Sequence, residues 1–340
     1  MKAYRCRVCD NALHFENSVC VSCGTNLGYS RAERDIVPVD EQGRYVDRAG
    51  LVWHVCRNLN LHGCTWLSEL EGGQCFSCDL TRVRPNDDDA EGLAHYPEAE
   101  RAKRHLVAEL DVLGFPVVGK DPATGGDPAN GLAFDLLSSV AENVVIGHDD
   151  GVITIDLAES DAAYREKVRS RLAEPYRTML GHFRHEVGHY YEWQLVRGEE
   201  LMTRCRELFG DETADYAAAL DRHYAQGPPA GWEASHISTY ATMHPFEDFA
   251  ETWAHYLHIC DTVETASEYG LSHVGPVTAF SSFRDVVTGI WVPLTVALNM
   301  INRSMGKDDL YPFVIPAPVL DKLDFVASLP RSWSAHPSTS

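Results

Sequence analysis

His185, Glu186 and His189 lie in the string His185-Glu186-Val187-Gly188-His189, and these residue types at this spacing can hold and use a metal ion. Residues four apart on a helix sit about 40° apart around its axis, so both imidazoles leave from one face. Two imidazole nitrogens from adjacent turns can take neighbouring corners of a tetrahedral zinc site. Glu186 lies about 100° round from His185, off the donor face but beside the metal. A carboxylate there can take a proton from bound water and pass it to a leaving amine. Zinc lowers the pKa of that water toward about 7, which makes hydroxide available at neutral pH.

A catalytic zinc needs a third protein ligand and one open position. The string HPFEDFAETWAHYLHI supplies Glu247 and Glu251, one turn apart on a second helix. One carboxylate completes the donor set, and the other can hold the far nitrogen of a liganding histidine, fixing its tautomer. Glu247 is assigned as ligand and Glu251 as its outer support; the reverse assignment is the alternative. His244, His255 and His258 are rival donors, read instead as packed or solvated side chains.

Eight of the ten cysteines precede residue 80. Cys6-Arg-Val-Cys9 and Cys20-Val-Ser-Cys23 form two CxxC knuckles, the spacing of a structural zinc site built from four thiolates. Cys56, Cys64, Cys75 and Cys78 form a second set, in which only Cys75-Phe-Ser-Cys78 has knuckle spacing and His54 or His62 could replace one cysteine. Closed four-thiolate sites have no room for substrate, so neither set is expected to be catalytic. Cys205 and Cys260 are isolated and read as buried thiols. The expected metal content is one catalytic and one or two structural Zn2+ ions.

The elements that must position these groups divide into regions. Residues 1–82 are rich in Cys, Gly and turn residues, and cannot build a sufficient apolar core without metal. Residues 83–97 read as an acidic linker. Residues 98–332 read as the larger domain and 333–340 as a disordered tail. Glu98–Leu113 has helical periodicity. Leu132–Leu137 and Val144–Ile146 are strand candidates, and Val152–Leu157 follows the turn Asp149-Asp-Gly151 as a hairpin strand. Ser160–Leu172, Pro175–Val196, Thr203–Tyr224, Pro245–Ile259, Phe283–Met305 and Val319–Leu329 read as helices. Strands first and helices after give an α+β domain, mostly helical with a small sheet.

A net charge of −21 in 340 residues argues against nucleic acid as a target, because phosphate neutralisation needs a basic surface. Lys2, Arg5, Arg7, Arg31, Arg34, Arg44, Arg48 and Arg57 roughly balance the acids of the amino-terminal region, which permits such a contact there and no more. The polar start, MKAYRCRVCD, has no apolar signal-peptide core. Ile290–Leu298, the most apolar stretch, is short and contains Pro293, so no membrane span is expected. Clustered thiols without an export signal favour metal binding over disulfides and a cytoplasmic location.

HExxH followed on a later helix by Glu-x-x-x-Glu resembles the gluzincin metallopeptidases. Tyr240, seven residues before Glu247, and the run Glu247-Asp-Phe-Ala-Glu251 are similar to the active-site segment of the anthrax lethal factor protease domain. Over most of its length the chain resembles a bacterial family described as putative zinc-binding metallopeptidases with an amino-terminal zinc ribbon, through its EDFAETWAHYLHI string. The resemblance implies a zincin-like domain, Glu247 as third ligand, Glu251 as its support, and Tyr240 as hydrogen-bond donor to the developing oxyanion. It also implies that Val152–Leu157 is a sheet edge along which an extended peptide is laid; a plain core strand is the alternative. The expected activity is zinc-dependent hydrolysis of peptide bonds, with a peptide or protein substrate and the ribbon region as a docking module. The alternative is a regulatory protein that binds protein or nucleic acid through its ribbons and whose zincin domain is catalytically silent.

Overall fold

The computed structural model describes residues 1–139, 144, 146–160, 178–272, 277, 280 and 282–332. The chain forms two compact units, one from 1–112 with 117–161 and the other from 113–116 with 162–340.

The first unit opens with short antiparallel pairs, β1 (Tyr4–Arg5) with β2 (Ala12–Leu13) and β3 (Leu27–Ser30) with β4 (Asp35–Pro38). A three-stranded sheet of β5 (Arg44–Val46), β6 (Val52–Val55) and β7 (Leu67–Ser68) follows. Helices α1 (Leu59–His62) and α2 (Phe76–Asp79) are single turns. So little regular structure buries few aliphatic side chains; instead Tyr4, Phe15, Tyr29 and Trp66 make a small aromatic cluster.

Helix α3 runs from Ala90 to Leu113 with Pro97 inside it. The linker expected over 83–97 is therefore helical from residue 90. A proline removes one backbone hydrogen bond but does not end a helix whose flanking turns are packed, and Tyr96 and Ala99 on either side are buried. The first unit continues past residue 82. Strand β8 (Thr81–Val83) pairs in parallel with β9 (Ala133–Leu137), and Lys103 of α3, fully buried with Glu100, reaches both Glu100 and the half-buried Thr81.

The second sheet has the order β10-β11-β9-β8, with β10 at Gly147–Asp149 and β11 at Val152–Asp156. The expected hairpin is present, its turn made by Asp150 (φ 44°) and Gly151 (φ 77°), both left-handed as a two-residue hairpin requires. Two expectations fail here. The strand lies at 147–149 rather than 144–146 (Val145 lies outside the described residues), and β11 is not an edge, because β10 and β9 occupy both its sides.

The second unit has helices and no strand among its described residues. The motif helix spans Met179–Leu195, with the Thr178 side chain accepting the Gly181 N–H as its cap. The Glu247 helix spans Pro245–Glu268, longer than expected, with proline in its first turn. Between these, the single helix expected over 203–224 is two, Glu199–Phe209 and Tyr216–Gln226, separated at Gly210 (φ 106°) and restarted by the Asp215 cap. Phe115, Tyr191, Trp253 and Tyr256 form the aromatic core around both long helices, with the Arg331 guanidinium 3.7 Å from the Phe115 ring centre.

Phe283–Ser304 is one continuous helix of 22 residues, long and apolar enough by length and composition alone to cross a membrane. The helix expected over Phe283–Met305 is present, and Pro293 makes no break in it. The wide turn at Val287–Trp291, where the Val292 N–H bonds the Val287 carbonyl, carries the backbone into the proline without one. The last helix is Ala317–Ser328. The helix expected over 160–172, the first residues of that expected from 175, and the tail 333–340 lie outside the described residues.

Candidate metal centres

The motif helix and the Glu247 helix pack closely enough for their side chains to interdigitate. Gly188, the fourth residue of HExxH, is where they touch, and Ala250 stands opposite. This approach lets a carboxylate of one helix reach between the imidazoles of the other. Glu247 Oε2 lies 2.9 Å from His185 Nε2 and 3.6 Å from His189 Nε2. Ligands about 2.0–2.1 Å from a tetrahedral zinc stand about 3.3–3.4 Å apart, so these separations bracket the edge of such a site. Two imidazoles and a carboxylate, with their donor atoms all within 4.8 Å of one another, fit a zinc ion.

Glu251 occupies a different place. Its Oε1 accepts from His185 Nδ1 at 2.7 Å and its Oε2 accepts the Ser238 hydroxyl at 2.6 Å. It therefore fixes the ring of His185 from behind, leaving Nε2 to face the Glu247 oxygen. Phe246 stacks on the His189 ring with centres 3.8 Å apart and so sets that plane.

The electrostatics follow from burial and pairing. Burial opposes a charge on His185, yet its hydrogen bonds to Glu247 and Glu251 raise its pKa well above the ordinary imidazole range. Burial also opposes ionisation of Glu247, and the charges and hydrogen bonds of His189 and His185 bring its carboxyl well below the usual range. A cation bound between them exchanges for the proton and keeps the carboxylate ionised.

Glu186 is buried beside this cluster. Its Oε1 bonds His182 Nε2 at 3.2 Å, while its Oε2 has no hydrogen-bond partner among the described residues. Burial raises the carboxyl and the nearby histidines more than offset this, so it is held below its usual range and ionised. Tyr240 lies at the same place, its ring 6.0 Å from that of His185.

The three rival histidines are packed elsewhere. His244 caps the Glu247 helix through Nδ1 and bonds the Ala214 carbonyl through Nε2; His255 bonds the Tyr311 hydroxyl; His258 bonds Arg184. Three contacts were not legible in the sequence. Tyr216 donates its hydroxyl to Glu247 Oε1 at 2.8 Å, and Ser238 and His182 hold the two motif-flanking glutamates. The only written signal for Tyr216 was Gly210, which ends one helix and lets Asp215 start the next.

In the first unit, both cysteine sets assemble. Cys6, Cys9, Cys20 and Cys23 form one cluster and Cys56, Cys64, Cys75 and Cys78 the other. Closest sulfur pairs are 3.6 and 3.7 Å apart in the first and 3.5 and 3.6 Å in the second, too far for disulfides and near the spacing around a tetrahedral zinc. In the second set no histidine replaces a cysteine. His62 instead sits behind Cys78, its Nε2 3.6 Å from the sulfur, and its Nδ1 faces Arg104 at 3.0 Å. A guanidinium only donates, so Nδ1 accepts and Nε2–H points at the sulfur. Arg104 is held in turn by Glu16. Cys205 and Cys260 are buried and in no disulfide.

Comparisons with known proteins agree with this division. Residues 3–89 match a zinc-ribbon domain, and residues 92–329 match the family described as "Putative zinc-binding metallo-peptidase". An uncharacterized protein of Mycobacterium tuberculosis (strain ATCC 25618 / H37Rv) is 50% identical over 334 residues, which cover 96% of this chain and 94% of that one. An uncharacterized protein of Mycobacterium bovis matches to the same extent. No solved structure matches. With well over half of its residues matched, and with four-cysteine clusters that fit zinc ribbons ahead of them, the chain belongs to this family of zinc-binding metallopeptidases and carries an amino-terminal zinc-ribbon domain.

Proposed function

We propose that the chain hydrolyses peptide bonds at a zinc ion held by His185, His189 and Glu247, in the manner of gluzincins. The observation that carries this reading is the meeting of those three side chains, with a buried, partly unpartnered Glu186 carboxylate beside them. Bound there, zinc supplies Lewis acidity, polarising a carbonyl and lowering the pKa of water. Glu186 takes the proton of the attacking water and delivers it to the departing amine. Tyr240 offers a phenol O–H to the oxyanion that develops on the scissile carbonyl. Glu251 and Ser238 hold the His185 ring in the tautomer that presents Nε2.

The two cysteine clusters are structural in this reading, giving three zinc ions per chain, and the substrate is a peptide or protein. Glu186→Gln is expected to keep all three zinc equivalents and to lose hydrolysis of a proteome-derived peptide pool by at least about 100-fold. Undiminished cleavage by that variant would contradict the assignment of Glu186.

A further inference from the structure

The carboxylate of Glu247 has two oxygens in two different settings. Oε2 faces the imidazole nitrogens of His185 and His189, while Oε1 accepts the Tyr216 hydroxyl at 2.8 Å. A phenol has one proton to give, and Tyr216 gives it to Glu247.

Tyr216 owes its position to local chemistry. It is the first residue of the helix Tyr216–Gln226, whose start is fixed by Asp215 accepting the Ala218 N–H at 3.0 Å. The segment just before it is tied to the Glu247 helix by His244. That ring accepts the Phe246 N–H at Nδ1, so its proton is on Nε2, which donates to the Ala214 carbonyl at 3.0 Å. His244 is buried and its ring centre lies 5.3 Å from that of Tyr216. One histidine thus pins the start of the Glu247 helix to the residue two before Tyr216, and the phenol is delivered to Oε1 by two independent restraints.

The geometry points to Tyr216 as a positioning residue for the metal ligand: it engages Glu247 Oε1 so that the carboxylate presents Oε2 alone to the ion. The reason is coordination number. A glutamate with both oxygens free can bind a cation through both, which would fill the position that water or a carbonyl needs. An outer partner on one oxygen makes one-oxygen ligation the favoured state, and loss of such a partner typically costs about 10–100-fold in metal affinity. This inference rests on Glu247 being a zinc ligand.

The test uses the full-length protein with its cysteine sites zinc-loaded. Zinc affinity of the weakest site is measured by chelator competition, and cobalt placed in that site is read by visible absorption, whose intensity falls as coordination rises from four to five. Tyr216→Phe is expected to weaken zinc by about 10–100-fold and to lower the cobalt absorption, with the thermal midpoint unchanged when the cysteine sites are loaded and the histidine site is empty. Tyr216 is partly exposed, so the loss of a hydroxyl there should not impair folding. Should Tyr216→Phe fold poorly, Asp215→Ala, which loosens the start of the same helix, is expected to show the same two changes in smaller measure. Wild-type zinc affinity and cobalt spectrum in Tyr216→Phe would overturn the inference. Glu247→Ala run alongside separates the two claims: retention of zinc there overturns the ligand assignment itself, whereas loss there with no effect of Tyr216→Phe overturns only the role of the phenol.

Discussion

Gly188 and Ala250 meet where the motif helix and the Glu247 helix touch: a Cβ built on Gly188 would stand 3.0 Å from the Ala250 Cα and 3.1 Å from the Trp253 Cβ. The fourth position of the HExxH string thus has a packing reason to be glycine, separate from any chemistry. The backbones come close enough for Glu247, one turn before Ala250, to reach both imidazoles.

Gly188→Val should therefore force the helices apart. Overpacking of this kind costs about 1–3 kcal/mol, and the displaced carboxylate should lose zinc from the His185 site while the cysteine-bound zinc remains. Metal analysis with thermal unfolding checks this; full zinc content in the variant would show that the contact does not set the ligand geometry.

The two cysteine clusters should differ in how fast they yield their metal. Cys9 and Cys23 are exposed, whereas Cys56, Cys64, Cys75 and Cys78 are all buried. In Glu247→Ala protein, a thiol-reactive mercurial should release one zinc equivalent promptly and the second only on unfolding. Simultaneous release would mean that the second cluster opens readily in solution.

Much of the site was legible because its chemistry is local in sequence. His185, Glu186 and His189 share one helix, Glu247 and Glu251 share another, and helical spacing fixes what each can face. Tyr216 was not legible, because its partner lies 31 residues away and the intervening chain reads as one helix unless Gly210 is taken as a stop. One proline misled. Pro97 suggests a break, but packing on the neighbouring turns carries the helix through at the cost of one hydrogen bond. The place of β11 in its sheet was hidden for another reason: alternation identifies a strand, but only pairing shows that β9 and β10 flank it.

Acid should weaken the fold through His255. Burial pushes its imidazole down to about 4, while the unfolded chain's is about 6.5. Between those values the unfolded state binds the extra proton, so this stabilisation is present above about pH 6.5 and is lost as pH falls toward 4. From pH 7 to 5.5 the contribution is about 1 kcal/mol. In a Glu247→Ala background, which removes zinc uptake at the histidines, His255→Gln should flatten the loss of denaturation midpoint over that range by about this amount. An equal loss with and without His255 would place the acid sensitivity elsewhere.

The most direct test is a count of zinc in the wild type, in Glu247→Ala and in Glu251→Ala, each purified with excess metal. Three equivalents are expected in the wild type, two in Glu247→Ala, and three in Glu251→Ala with the third held about 10–100-fold more weakly. A Glu247→Ala protein that still holds its third zinc, or a wild type that never takes one up, would contradict the proposal that these two helices meet around a metal ion.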